Sequence, residues 1–172
     1  MPDSDPPRRL LRTLRLDDSD ARLFPRAAQA DEWAVPGSFV FTFSERDPAL
    51  LTGAEQRAFS SGFLGLDSLG WSTLVVVAEI SPAQYRQARA ALAAFLRRDF
   101  GAPDEAEALR VAQAQLADAA QLCEHPVNTV ISVVRECTPA GISERFVAHT
   151  RRPVWQTQTR IFRALPDDQP DN

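Results

Sequence analysis

The chain has 172 residues, 44% of them apolar, and a net charge of −4, the profile of one globular domain large enough to bury a core. All 19 basic residues are arginines. Without a lysine there is no Walker A phosphate loop, no Schiff-base pyridoxal enzyme, no protein-kinase chemistry and no lysine-acylated carrier domain, and the acidic balance argues against a dedicated nucleic-acid binder.

Residues 1–9 are rich in Pro, Asp and Arg and are expected to be a disordered tail, without the basic start and apolar stretch of a signal peptide. Residues 10–16 read as a strand, 17–20 (DDSD) as a turn and 22–28 as a second, edge-like strand because of Pro25. Val35-Pro36-Gly37-Ser38 has type II turn chemistry, and the alternation of Phe39, Phe41 and Phe43 beyond it reads as a strand. Asp47-Pro48 starts a helical turn, and Thr52 with Glu55 offers a capping box for a helix over 53–64. Residues 72–80 (STLVVVAEI) are the strongest strand, apolar enough to be covered on both faces. Ser81-Pro82-Ala83-Gln84 caps a helix over 82–99 that Gly101 ends. Pro103 opens a third helix, which His125-Pro126 stops. Residues 129–137 and 142–149 are strands joined by a four-residue loop, Thr138-Pro139-Ala140-Gly141.

The expected fold is α+β: one largely antiparallel sheet of five or six strands with about three helices on one face, in a single domain over 10–150. Residues 151–172 form an extension whose last residues are expected to be disordered. No apolar run approaches the roughly 18–20 residues of a membrane span, and the chain is expected to be cytoplasmic with reduced thiols.

Three constellations could carry chemistry. Cys123, His125, Cys137 and His149 invite a zinc reading, but their spacing matches no common structural-zinc pattern. If Cys137 pairs with Ile142, position sums in the hairpin are 279, which places His149 opposite Val130 at the base while Cys137 sits at the tip, roughly 23 Å away at ~3.3 Å per residue. No metal is expected. Cys123 as a nucleophile with His125 as its base competes with Cys123 in a core position and His125 capping helix carbonyls. The second constellation is 62–71, GFLGLDSLGW. Its order of helix, glycines, then strand is the wrong polarity for a phosphate cradle, and it contains no G-x-S-x-G. It reads as a helix C-cap at Gly65 and a tight approach to the sheet at Gly70, with Asp67, Ser68 and Trp71 as a candidate binding surface. The third is Trp155 to Phe162, apolar residues that either fold back on the sheet or dock a partner.

The motifs LLRTLRLDDSD, EWAV (32–35), GFLGLDSLGWSTLV (62–75) and LCEHP (122–126) resemble a proteobacterial domain-of-unknown-function family of small cytoplasmic proteins, over 10 to about 150. The resemblance implies no catalytic residues. It implies an accessory role and a link to redox-enzyme (molybdoenzyme) maturation. The expectation is therefore a non-catalytic accessory or protein-interaction protein with no cofactor, a protein partner, and neither nucleic acid nor membrane as partner. The alternative is a small enzyme or ligand-binding domain that uses the Asp67/Trp71 loop or the Cys123/His125 cluster.

Overall fold

Among the described residues, seven antiparallel strands make one sheet in the order β4-β3-β2-β1-β5-β6-β7. The computed structural model describes residues 5–149; the expected extension with Trp155 and Phe162 lies outside the described residues. The strands are β1 (Arg9–Leu14), β2 (Trp33–Val35), β3 (Phe63–Gly65), β4 (Trp71–Ser72), β5 (Leu74–Glu79), β6 (Val130–Thr138) and β7 (Gly141–His149). The helices are α1 (Ser19–Leu23), α2 (Phe39–Thr42), α3 (Gly53–Ser61), α4 (Pro82–Phe100) and α5 (Glu105–Gln121), with 3-10 turns at Pro48–Leu50 and Leu122–Glu124. The α+β class and the antiparallel sheet are as expected. Among the described residues the strand count is seven rather than five or six, and there are five α-helices rather than three. The additional elements are two to five residues long, too short to show a period in the sequence.

The long elements form where local chemistry directs them. Ser81 Oγ accepts from Gln84 N–H at 3.1 Å and Gln84 Oε1 accepts from Ser81 N–H at 2.9 Å, a complete capping box on α4. Gly101 ends that helix in the left-handed region, φ 68°. Asp104 caps α5 by accepting from Glu107 N–H at 2.8 Å. Ala108, Ala112, Leu116 and Ala119 of α5 join Ala88, Leu92 and Leu96 of α4 in the core. This helical hairpin leaves β5 and returns to the same end of the sheet, so β6 runs antiparallel to β5. The β6–β7 register pairs Cys137 with Ile142 and Val130 with His149, the expected sum of 279. The loop is two residues, Pro139 and Ala140, rather than four, because Thr138 and Gly141 pair as well.

Two expected strands do not form: one is a helix and the other is mostly irregular. Residues 39–43 contain α2: Phe43 N–H donates to Phe39 O at 2.9 Å, one helical turn apart. Spacing of two cannot separate these cases, because Phe39 and Phe43 are also i, i+4 neighbours, with rings 6.2 Å apart, while Phe41 faces Phe59. Residues 22–28 begin in α1, started by Asp17 Oδ1, which accepts from Ser19 N–H. The expected strand there survives as a single bridge between Ala27 and Trp71. The box at Thr52 does not form; Glu55 pairs instead with Arg46 at 2.7 Å. Gly62, not Gly65, ends α3.

The sheet curls, and one buried cation spans the curl. Parity along β6 puts Arg135 on the face of Ile131 and Val133, and it is 1% exposed. Its guanidinium donates to Phe59 O (2.6 Å), Pro36 O (2.8 Å) and Gly62 O (3.2 Å), and to Glu144 Oε2 (2.9 Å). Burial pulls its pKa down and the Glu144 carboxylate opposes that. Five donors in a rigid fork can serve the C-terminal carbonyls of α3 and the neighbouring strand together, which an ammonium could not. Phe63 of β3 and Phe146 of β7 meet alongside it, ring centroids 6.2 Å apart.

Arg135→Met should lower unfolding free energy by about 2–4 kcal/mol, because it strands several buried carbonyls and a carboxylate. Urea denaturation checks this. Glu144→Gln should cost less, since the amide oxygen still accepts from Nε.

Candidate functional site

The 62–71 loop is organised around a carboxylate that lies 30 residues earlier. Glu32, just before β2, is 3% exposed. Its Oε1 accepts from Asp67 N–H and Ser68 N–H, both at 2.8 Å. Its Oε2 accepts from Ser68 Oγ at 2.6 Å and from Gln29 N–H at 2.5 Å. Thr13 of β1 completes the chain by accepting from Glu32 N–H (2.9 Å) and donating to Gln29 O. Ser68 Oγ also accepts from Gly70 N–H at 3.0 Å.

The glycines make room for this arrangement. A Cβ on Gly65 would lie 2.5 Å from Glu32 Oε1, and one on Gly70 would lie 2.5 Å from the Ala27 backbone. The tight approach expected at Gly70 is present, against the 27–28 backbone. Gly65 is a strand residue whose missing side chain admits a carboxylate. A second buried acid works in parallel: Asp20 Oδ1 accepts from Thr73 Oγ1 at 2.7 Å.

Asp67 is exposed, Ser68 half-buried and Trp71 buried. Trp71 is held through its backbone, donating to Arg26 O and accepting from Ala28 N–H, each at 2.8 Å. Its ring packs on Phe41 with centroids 5.4 Å apart. Ser68 and the Asp67 amide are therefore committed to Glu32, and Trp71 contributes mainly to packing.

The Cys123/His125 cluster sits at the other end of β1. Arg9 pairs with Glu79, and its guanidinium donates to the His125 carbonyl at 2.9 Å. The backbone of His125 is engaged there, while the residue itself is exposed. Cys123 is buried and its Sγ donates to Ala119 O at 3.6 Å. Burial pushes its thiol up to about 12. A nucleophilic cysteine needs the opposite shift. Cys137 is exposed at the hairpin tip. His149 is half-buried and lies 3.0 Å from Ser132 Oγ at the base. The register keeps Cys137 and His149 seven residues apart along β7. Among the described residues no three His, Cys, Asp or Glu side chains converge as metal ligands.

One surface feature was not anticipated. Residues 39–58 border an open trough in two halves. Phe41, Leu51, Ala58 and Trp71 line one, and Phe43, Asp99 and Phe100 the other, with Val40, Ser44 and Arg46 shared. The first half holds about 270 Å³. Leu50 and Phe43 stand beside it 76% and 51% exposed. The Arg46 guanidinium and the Glu55 carboxylate cross its rim in a two-bond pair at 2.7 and 3.0 Å. The sequence signal was the dense run of phenylalanines, which a strand reading hid.

Fold and site together define an α+β protein with a curled, seven-stranded antiparallel sheet, in which acids and glycines that look like site residues hold loops together. The chain belongs to DUF6505, a family of unknown function, which it matches over residues 8–162. That match runs beyond residue 150, where the resemblance had been placed. No curated protein and no solved structure matches the chain significantly. Among the described residues no helix is long and apolar enough to cross a membrane.

Glu32→Gln should destabilise the protein by about 2 kcal/mol, because an amide replaces a carboxylate oxygen that only accepts. Gly65→Ala should cost at least as much, through overlap with Glu32; thermal and urea unfolding check both. Separately, iodoacetamide at pH 8 should label one thiol per native chain, at Cys137. Cys123 should react only in denaturant, as mass spectrometry of the digest would show.

Proposed function

We propose that this protein is a non-catalytic accessory protein that acts by binding another protein. The observation that carries this reading is the commitment of its reactive-looking groups. The Glu32 carboxylate, the Ser68 hydroxyl and the Asp20 carboxylate are consumed by backbone or neighbouring donors and acceptors, and the Cys123 thiol is held neutral by burial. Catalytic sites instead leave such groups convergent and poised.

The trough beside α2 and α3 supports the same reading. It is open to solvent, whereas small-molecule pockets bury most of their ligand. Its apolar floor and the exposed Phe43 and Leu50 suit a bulky apolar side chain from a partner segment, and interface anchors are typically of that kind. The sequence resemblance nominates a molybdoenzyme, or a factor that matures one, as the first partner to try. It also makes a proteobacterial, cytoplasmic setting part of the proposal.

Affinity capture from the native host tests this with three baits: wild type, Phe43→Asp/Leu50→Asp and, as control, Val127→Asp. Proteins retained by wild type and by the control should fall at least about tenfold with the double variant. An identical set on all three baits would overturn the trough assignment. A metabolite that raises the melting temperature, with the rise abolished by an Asp67 or Cys123 substitution, would overturn the non-catalytic reading in favour of a ligand-binding domain.

A further inference from the structure

The two halves of the trough differ in charge. Phe41, Leu51, Ala58 and Trp71 give the first an apolar lining. The second holds about 570 Å³ and is bordered by the carboxylates of Glu45 and Asp99 together with Phe43 and Phe100. Arg46, which both halves share, does not neutralise these acids. Its two terminal nitrogens are engaged by Glu55 at 2.7 and 3.0 Å, so that this pair forms a neutral divider between the halves.

The fold makes little use of either acid. Glu45 is exposed and makes no hydrogen bond or ion pair among the described residues. Asp99 meets Arg98, its neighbour in sequence, at 3.1 Å, with both side chains exposed. Exposed pairs of this kind contribute little to stability. Asp99 also stands in the last turn of α4, where the helix dipole favours cations such as Arg97 and Arg98 and disfavours a carboxylate.

Resting on the protein-binding reading above, we propose that the second half of the trough is a cation subsite and that the docking segment is basic. A bulky apolar side chain of that segment fills the first half, and an arginine or lysine of the same segment lies between Glu45 and Asp99.

The aromatic lining suits such a side chain. Phe43 is 51% exposed and packs edge-to-face on Phe100 with centroids 6.3 Å apart. Its ring offers a surface for an alkyl stem, and the ring quadrupole attracts a guanidinium or ammonium. The carboxylates on either side supply the opposite charge. An acidic segment meets the reverse situation. Its carboxylate would face Glu45 and Asp99, and it could reach Arg46 only by displacing Glu55 from a two-bond pair. The halves adjoin at Val40, Ser44 and Arg46, so one short segment can reach both.

Selection from a random peptide library displayed on phage, with the full chain as bait, tests the subsite. The baits are wild type, Glu45→Gln/Asp99→Asn and Leu51→Arg, the last placing a long cation in the apolar half. Peptides enriched on wild type should carry Arg or Lys within a few residues of a large apolar side chain. On Glu45→Gln/Asp99→Asn the apolar residue should persist and the basic preference should vanish. Both acids are exposed, so this variant should keep the wild-type melting temperature.

One selected peptide, synthesised with its basic residue and with norleucine in its place, completes a double-mutant cycle. By fluorescence anisotropy wild type should prefer the basic form about fivefold or more, and Glu45→Gln/Asp99→Asn should bind both forms alike. Raising NaCl from about 50 to about 300 mM should narrow the wild-type preference. Selected peptides that lack a basic residue, or carry an acidic one, would overturn the cation subsite and leave the trough as an interface. No enrichment on wild type, or the same peptides on Leu51→Arg, would overturn the trough reading itself. A wild-type dimer that Leu51→Arg renders monomeric would make a second copy the occupant and would also overturn the proposal.

Discussion

The sheet depends on a carboxylate that belongs to no strand. β2, β3 and β4 have two or three residues each, and ladders that short hold register poorly. Glu32 supplies what they lack. By accepting from the loop before it and from the loop after β3, it fixes β2 against β3 through side-chain bonds rather than through ladder length. Thr13 links the same acid to β1, the central strand, so one chain of hydrogen bonds crosses three strands. Arg135 plays the complementary part at the other side of the curl, where a cation binds carbonyls. Each group is buried at a cost that only full satisfaction of its bonds can offset.

The motifs that carried the resemblance therefore have a structural meaning. EWAV contributes Glu32; GFLGLDSLGWSTLV contributes the amides, hydroxyls and glycines around it and Thr73; LLRTLRLDDSD contributes Thr13 and Asp20; LCEHP contributes the buried Cys123 and the carbonyl that Arg9 binds. They are halves of contacts, separated by tens of residues.

Legibility followed element length and locality. The α4 cap, its glycine stop and the β6–β7 register were readable because each rests on residues within a few positions of one another. The Phe39-Phe41-Phe43 run was misread because a spacing of four is compatible with both periods. Glu32 and Asp20 could not be located: an acid among polar neighbours reads as surface, and only the distant loops make it interior. Arg135 carried a usable signal, since parity with Ile131 and Val133 turns it inward. At the candidate site, the close approach at Gly70 was legible from composition, but the group that Gly65 admits was not.

The strand order has a kinetic consequence. Of the described strands β1 is synthesised first, yet it lies in the middle of the sheet, between β2 and β5. It cannot acquire its longer ladder, six paired residues, until Leu74–Glu79 has left the ribosome. Until then a nascent chain exposes Leu10 and Leu11, both fully buried in the finished protein, with only the short β2 to cover them. Such early exposure of a future central strand invites chaperone engagement during translation. The β6–β7 hairpin, made last of the described strands and locally paired, can close quickly once its turn is out. Assembly of the sheet would then be limited by closing the long loop from β1 to β5, and not by the hairpin, which accounts for much of its paired length.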